Sequence, residues 1–222
     1  SAFRLVLLGG GTIDRATLNA CEESGLPVVQ CYGMTETCSQ FVALSAEEAP
    51  YHLGSVGKPL FTTQLRLVGE HHEIEIQTPA LTPGYLNQPA KFAAKHDGDW
   101  YRTGDVGHFD EDGFLYVDGR LDEMIISGGE NIFPAEVENV LRQYPGIQEI
   151  AVVGRNDQQW GAVPVAVVVS KQPVDFQQLE AFGREHLAHY KVPKVYLQTD
   201  ALPKNASGKV QKFRLQDLVA NA

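Results

Sequence analysis

The chain has 222 residues, with 18 Lys and Arg against 28 Asp and Glu, so its formal net charge is −10. Apolar residues make up 43% and charged residues 21%, a globular composition that excludes wholesale disorder. The acidic balance argues against binding nucleic acid or anionic lipid along its length. The longest strongly apolar stretch, residues 162–169, is far shorter than the ~20 residues that span a bilayer. The three cysteines form no CxxC pair, which favours reduced thiols in a cytoplasmic protein.

The opening of the chain predicts one α/β unit. A short apolar run, residues 3–8, predicts a buried strand that stops at Gly9-Gly10-Gly11. A helix is predicted over residues 14–23, beginning at Asp14, and a second strand over 28–32. Two strands cannot stand alone as a sheet. Either a preceding segment supplies the rest of this layer, or the unit packs on the remainder of the chain.

The middle of the chain predicts an antiparallel β layer, interpreted as a small barrel. Alternating patterns predict strands over 64–68 and 73–77, and a short apolar run predicts another over 114–117. Turn-forming clusters containing Pro, Gly and Asp separate them. We therefore expect residues 1–120 to form an α/β unit followed by this layer.

The pattern changes again near residue 120 and predicts a second, α+β domain over 121–222. Amphipathic spacing predicts a helix over 134–143. The other elements predicted in this part are strands over 147–153 and 163–169 and helices over 176–189 and 212–219. The fold class is therefore mixed α/β and α+β.

Two glycine-containing segments fail known phosphate-binding patterns. The dinucleotide fingerprint GxGxxG is not met after Gly9, because Asp14 occupies the third glycine position. Residues 205–209 are similar to the end of a phosphate loop, but Pro203 and Val210 stand where that motif needs Gly and Ser or Thr. Neither segment alone indicates a nucleotide site.

The segment 32–37 carries a hydroxyl and a carboxylate directly after a predicted strand, where α/β folds bind ligands. Thr35 and Glu36 could bind a phosphate and its Mg²⁺, since magnesium takes a few carboxylates together with substrate oxygens. The alternative is that they simply begin a helix.

Asp105 and Arg120 are predicted at opposite ends of a β-hairpin. The aspartate could accept hydrogen bonds from ribose hydroxyls; alone, a surface ion pair is the simpler interpretation. The loop 127–131 could be a flexible turn. His71-His72 has no third ligand at useful spacing, which argues against a metal site there.

Taken together, the order and spacing of six segments resemble the adenylate-forming superfamily of acyl-CoA synthetases, luciferases and peptide-synthetase adenylation domains. The resemblance runs from Leu5 to about Leu218 and rests on the residues 8–11, 32–36, 82–85, 101–105, 119–131 and 202–209. Within the superfamily, residues 32–40, 53–60 and 190–194 most resemble the o-succinylbenzoate–CoA ligases of menaquinone synthesis.

The family's Ser/Thr/Gly-rich phosphate loop precedes its Tyr-Gly-x-Thr-Glu motif, and this sequence contains no such loop. We therefore expect the chain to be the C-terminal half of the enzyme. It would comprise the end of the large AMP-binding domain and the whole small mobile domain. By itself the chain should not catalyse the reaction of the complete enzyme.

The resemblance implies an AMP-forming acid–CoA ligase that uses ATP, Mg²⁺ and CoA with a small carboxylic acid. Two alternatives stay open: an aryl- or fatty-acyl–CoA ligase, and a catalytically inactive interaction fragment. No nucleic-acid partner is expected. A homo-oligomer could form through the missing N-terminal half.

The resemblance also assigns roles, residue by residue. Lys209 would bridge the carboxylate and the α-phosphate, and Asp122 would be the hinge. The predicted phosphate and magnesium ligands are Thr35 and Glu36, and the predicted nucleotide site adds Gly9, Gly10, Gly11, Tyr32, Gly33, Met34, Asp105 and Arg120. The predicted CoA contacts are Ser127, Gly128, Gly129, Trp160, Tyr190, Lys191 and Lys194, and the predicted acyl contacts are Ser39 and Gln40. Val192 stands where some relatives carry a cation for the nucleotide phosphates.

Overall fold

A strand, a helix and a second strand open the chain in the predicted order, but the first strand is not buried as predicted, since Leu7 at its centre is 53% exposed. β1 (Val6–Leu8) pairs in parallel with β2 (Val28–Gly33), and α1 (Arg15–Glu23) connects them. Two further strands of this chain extend the sheet. β3 (Gln40–Ala43) and β4 (Lys58–Pro59) continue it antiparallel, in the order β1-β2-β3-β4.

These strands belong to the first of two compact units, Ser1–Leu121 and Asp122–Ala222. The computed structural model describes residues 3–11, 13, 15–206 and 208–220, apart from the side chain of Ala16. Asp14, at the predicted start of the first helix, and Ser207, in the predicted lysine turn, lie outside the described residues. None of the helices in the described ranges is long and apolar enough to cross a bilayer.

A five-stranded antiparallel sheet forms the predicted β layer, as an open half-barrel and not a closed barrel. Its members are β5 (Gln64–Val68), β6 (Glu73–Gln77), β7 (His96–Asp97), β8 (Trp100–Phe109) and β9 (Leu115–Arg120), with α2 (Pro89–Ala93) before β7. Buried Ile74, Ile76, Tyr101 and Leu115 of this sheet share a core with Phe41 of β3. The core therefore connects the barrel layer to the opening sheet.

The second unit is a five-stranded sheet with helices on both faces. Its strands are β10 (Ile125–Ser127), β11 (Glu130–Ile132), β12 (Glu149–Asp157), β13 (Gly161–Val169) and β14 (Val195–Thr199). Successive side chains of a strand point to opposite faces, so Val152 packs with α3 (Pro134–Leu141) and α4 (Phe176–His186), whereas Val153 packs with α5 (Lys212–Val219).

Several element ends differ from the predictions. The helix predicted over 134–143 ends at Leu141, and the one predicted over 176–189 ends at His186, where Leu187 takes an extended conformation. A separate 3-10 turn, His189–Lys191, follows. The strand predicted over 114–117 continues to Arg120, because the β8–β9 ladder extends that far.

Candidate functional site

The turn after β2 places Thr35 and Glu36 at the end of that strand. It is a 3-10 turn, Thr35–Thr37, held by Thr37, whose buried Oγ1 donates to the Ser39 carbonyl at 2.7 Å and accepts from the Met34 amide at 3.2 Å. Gly33 permits the turn to be this tight, because a Cβ there would lie 2.3 Å from the Ser39 carbonyl oxygen. The turn leaves Thr35 exposed and Glu36 half-buried.

Glu36 is fixed by a pair of tyrosines from two other motif segments. The Tyr85 hydroxyl donates to Glu36 Oε1 at 2.5 Å and lies 3.0 Å from the Tyr101 hydroxyl. A phenol has one proton, and that of Tyr85 goes to the carboxylate, so Tyr101 donates to Tyr85. The Thr82 amide also donates to the Glu36 carbonyl at 2.7 Å. Burial and the hydrogen bond to Tyr85 raise the pKa of Tyr101, so it stays a donor.

Asp105, Arg120 and Tyr32 form a second cluster in the same unit. Asp105 and Arg120, predicted at opposite ends of a hairpin, are direct cross-strand partners of β8 and β9, and Arg120 Nη1 lies 3.1 Å from Asp105 Oδ1. The Tyr32 hydroxyl donates to Asp105 Oδ2. The Asp105 side chain is 12% exposed, so this pair is more enclosed than the surface ion pair that the spacing alone suggests. Burial and the Asp105 charge raise the pKa of Tyr32 well above its usual value.

The remaining predicted residues of the first unit flank β2. Gly9, Gly10 and Gly11 follow β1, which is next to β2, and the Cys31 thiol donates to the Leu8 carbonyl at 3.6 Å. At the other end of the turn, the Ser39 hydroxyl donates to Gln40 Oε1. The parallel pairing of β1 and β2 thus brings the glycine segment beside the strand that ends in Tyr32 and Gly33.

Lys209 lies on a hairpin-like turn of the second unit. The Asn205 amide donates to the Lys209 carbonyl at 2.9 Å, and the Lys209 amide donates to Asn205 Oδ1 at 2.9 Å. The Lys209 residue is exposed, and no ion pair among the described residues includes its ammonium. The backbone is therefore fixed while the side chain extends into solvent.

The segment predicted to reach CoA is built around Gly128. Ser127 ends β10 and is buried, and the Gly128 amide donates to the Trp160 carbonyl at 2.9 Å. Gly128 has φ 61°, and a Cβ there would lie 2.7 Å from the Trp160 ring. A side chain at Gly128 would therefore displace the indole that covers the loop, and Gly129, with φ 89°, continues the turn.

The other predicted CoA residues lie on the segment that leads into β14. Tyr190 and Lys191 belong to the 3-10 turn after α4, and the Lys194 amide donates to the Pro164 carbonyl at 3.0 Å. Lys191 Nζ forms an ion pair with Glu136 at 2.6 Å. Asp122, the predicted hinge, lies in the 3-10 turn Leu121–Glu123, where the two units meet along the chain.

Sequence reasoning gave no role to Tyr85 or Tyr101, although both belong to the motif segments 82–85 and 101–105. The hydrogen bond from Tyr85 to Glu36 joins residues 49 positions apart, and no spacing rule indicates it. Within the described residues, no group of three or more His, Cys, Asp and Glu could hold a metal ion. A cavity of about 80 Å³ lies among α1, β2 and residues 44–53, and the predicted site residues do not line it.

Two family profiles match the chain: AMP-binding enzyme over residues 1–86 and AMP-binding enzyme C-terminal domain over residues 136–209. The 2-succinylbenzoate–CoA ligase of Bacillus licheniformis is 46% identical, over 96% of this chain and 46% of that protein. The ligase of the same name from Enterococcus faecalis is 48% identical, with the same coverage of 96% and 46%.

Solved structures of acid–CoA ligases also resemble the chain. The o-succinylbenzoate CoA synthetase of Bacillus subtilis, in complex with its acyl-adenylate intermediate, has a TM-score of 0.92 and 42% identity, covering 100% of this chain and 46% of that one. The anthranilate CoA ligase AuaEII has a TM-score of 0.89 and 29% identity, with coverage of 100% and 46%. The chain thus spans about half the length of the relatives it matches. With its two units matched by two profiles of one enzyme family, the chain belongs to the AMP-binding enzymes, the adenylate-forming acyl-CoA synthetase superfamily.

Proposed function

We propose that this chain is the C-terminal part of an AMP-forming acid–CoA ligase whose acid is o-succinylbenzoate. The whole enzyme would join the carboxylate to the α-phosphate of ATP and release pyrophosphate, then transfer the acyl group to the CoA thiol and release AMP. The observation that carries the proposal is the cluster of Tyr32, Asp105 and Arg120 on the same unit as the Glu36 turn. The o-succinylbenzoate assignment rests on relatives of that name at 44–48% identity.

In this proposal Asp105 accepts hydrogen bonds from the ribose hydroxyls. Arg120 and Tyr32 each hold one of its carboxylate oxygens, so the acceptor is oriented before the nucleotide arrives. Such preorganisation lowers the entropic cost of binding. The adenine would lie against Tyr32 and the backbone of Gly9–Gly11, with Gly33 and Met34 beside it, and Ser39 and Gln40 would contact the acyl group.

Thr35 and Glu36 would serve the phosphates. Mg²⁺ in phosphate sites is bound through one or two carboxylates together with phosphate oxygens and water, and Glu36 offers one carboxylate whose orientation Tyr85 fixes. The residues therefore fit the ion. When bound, Mg²⁺ neutralises charge on the phosphate oxygens. The exposed Thr35 hydroxyl would donate to a phosphate oxygen.

Lys209 would supply the cation between the carboxylate and the α-phosphate, where negative charge develops during adenylation. The backbone of its turn is fixed by hydrogen bonds while the lysine itself is exposed. A side chain that must reach a substrate needs this combination. Rotation of residues 122–222 about Asp122 would then withdraw Lys209 and bring Ser127–Gly129 to the thioester site. Trp160, Tyr190, Lys191 and Lys194 would contact CoA, and Lys191 would exchange its Glu136 partner for a phosphate.

The experiment is a substrate comparison with the full-length protein that contains this chain. Incubation with ATP, Mg²⁺, CoA and o-succinylbenzoate should give the CoA thioester and AMP in equal amounts. Benzoate, anthranilate and palmitate serve as competing acids, because another aryl or fatty acid is the main alternative. If one of those acids is converted faster than o-succinylbenzoate, that acid and not o-succinylbenzoate is the substrate. Absence of AMP with every acid, from a folded protein, would favour the inactive interaction module.

Two further assignments belong to this proposal. We place the protein in the cytoplasm, and homo-oligomer formation would use a preceding N-terminal half. Cell fractionation and light scattering of the full-length protein test them.

A further inference from the structure

An enclosed ion cluster lies in the second unit, outside the residues discussed above. Lys212 Nζ lies 2.8 Å from Glu123 Oε2 and 2.9 Å from Glu138 Oε1. The Lys212 and Glu138 side chains are only 18% and 13% exposed, and that of Glu123 is 32% exposed. Removing one member of such a cluster leaves a partly desolvated charge without compensation. Its geometry is therefore strongly constrained.

Each member of the cluster is anchored to a different element. Glu138 lies on α3, and its Oε1 also accepts from the Val152 amide of β12 at 2.8 Å. Glu123 belongs to the 3-10 turn that contains Asp122. Lys212 is the first residue of α5. Burial opposes the charge on Lys212, but Glu138 and Glu123 more than offset it and raise the pKa of the lysine, so the ammonium persists.

The Lys209 turn leads directly into this cluster. The turn is closed at its base, where the Gln211 amide donates to the Pro203 carbonyl at 2.8 Å and Lys204 pairs with Val210 in a β-bridge. Lys212 follows Gln211 without an intervening residue. A shift of Lys212 therefore moves the base of the turn that carries Lys209, and Glu123 links the same lysine to the hinge segment.

We propose that Lys212 is a positioning residue for Lys209: through Glu123 and Glu138 it fixes the lysine turn relative to the hinge-side turn and the sheet core of its unit. This inference rests on the proposed function, because only adenylation gives Lys209 a task. Lys212 itself touches no substrate. Its ion pairs hold the catalytic ammonium where adenylation needs it.

The test uses Glu123→Gln, which cuts the link to the hinge turn and keeps the Lys212–Glu138 pair. Glu180→Gln is the matched control, since it makes the same charge change at an exposed ion pair with Arg184 on α4. Lys212→Arg is the conservative variant. Two readouts are taken: amide exchange of Asn205, Gly208 and Lys209 in the 222-residue chain, and the two half-reactions in the full-length protein.

Glu123→Gln should speed exchange in the turn while the β12–β13 ladder keeps its protection. It should slow acyl-adenylate formation roughly 10- to 100-fold, the cost of misplacing a catalytic group by about 1 Å, and spare thioester formation from pre-made adenylate. Lys212→Arg should retain most of the adenylation rate. If Glu123→Gln has the same amide exchange in the turn and the same half-reaction rates as Glu180→Gln, the inference is overturned. Loss of ladder protection with equal loss of both half-reactions would show a structural role only and would also overturn it.

Lys209→Ala is measured in parallel to separate the two hypotheses. If it leaves adenylation unchanged, the proposed role of Lys209 is wrong, and the inference fails with it whatever the exchange rates show. If Lys209→Ala blocks adenylation while Glu123→Gln behaves as its control, the proposed function stands and the inference alone is overturned.

Discussion

The hydroxyl of Tyr85 donates to the carboxylate of Glu36 at 2.5 Å. This bond joins the turn after β2 to the segment 82–85, and the Tyr101 hydroxyl, 3.0 Å from that of Tyr85, extends it to β8. Three motif segments that are separate in the sequence are therefore joined by one chain of hydrogen bonds that ends at the Glu36 carboxylate. Since a hydrogen bond to an ionised group is stronger than a neutral one, it limits the orientations open to Glu36.

Tyr85→Phe tests this arrangement. It removes the donor to Glu36 and the acceptor of Tyr101, so the free energy of unfolding should fall by about 1–3 kcal/mol. In the full-length protein, the Mg²⁺ concentration that gives half-maximal adenylation should rise, because Glu36 is less well oriented. Denaturant unfolding and a magnesium titration measure the two effects. Tyr51→Phe, at a residue that is 83% exposed, is the control, and identical behaviour of the two variants would contradict the role of Tyr85.

The raised pKa of Tyr32 predicts that the folded chain loses stability in alkaline solution. Its pKa is raised in the folded chain by burial and by the Asp105 charge, above the ordinary value of 10.0. The folded state therefore keeps a proton that the unfolded state releases, so stability is intact below pH 10 and declines as the pH rises above it. Tyr32→Phe should flatten this decline. Denaturant midpoints at pH 8 to 11 measure the slope, and an unchanged slope would show that Tyr32 does not contribute to it.

The regular elements could be predicted from the sequence because their patterns are local. The alternating strands β5 and β6 and the helix α5 have the predicted bounds. The hairpin that contains Asp105 and Arg120 was predicted, but the ten-residue length of β8 was not, since Gly104 and Gly107 interrupt its alternation. Its ladder with β9 shifts register between Val106 and Gly107, and such an irregularity erases the period of two that identifies a strand.

The site was predictable as a set of segments but not as contacts. The motif residues Tyr32, Glu36 and Asp105 follow from the family resemblance. The bond between Tyr32 and Asp105 spans 73 positions and depends on how two sheets pack, which no local pattern encodes. The same holds for the ion pairs of Lys212, whose partners lie 74 and 89 positions away and belong to different elements.

Nucleotide binding by the 222-residue chain should be weak. The chain carries Asp105, Arg120 and Tyr32, but its sequence has no Ser/Thr/Gly-rich loop, whose amides normally hold phosphates. We expect a dissociation constant near the millimolar range, which corresponds to ~4 kcal/mol. Calorimetry with ATP and Mg²⁺ measures this dissociation constant. Asp105→Asn should abolish the heat of nucleotide binding. A micromolar affinity would mean that the phosphate contacts lie on this chain.

Asp122→Pro tests the hinge in the full-length protein. A hinge residue must change φ, and proline fixes φ near −65°. We expect adenylation to survive and thioester formation to fail, because only the second step needs the rotation. Asp122→Ala keeps the freedom of φ and is the control that should retain both steps. Wild-type rates for the proline variant in both steps would show that residue 122 is not the pivot.

In the proposed mechanism Lys209 serves adenylation and not thioester formation. Lys209→Ala in the full-length protein removes the exposed ammonium and leaves the backbone hydrogen bonds of the turn, so the fold should be unchanged. Lys204→Ala, on the other leg of the turn, is the control. The decisive measurement is pyrophosphate release from ATP and o-succinylbenzoate beside thioester formation from pre-made acyl-adenylate. We expect Lys209→Ala to abolish most pyrophosphate release and to leave thioester formation from the pre-made adenylate nearly unchanged. An equal fall in both rates would contradict the assignment of two conformations to one mobile domain.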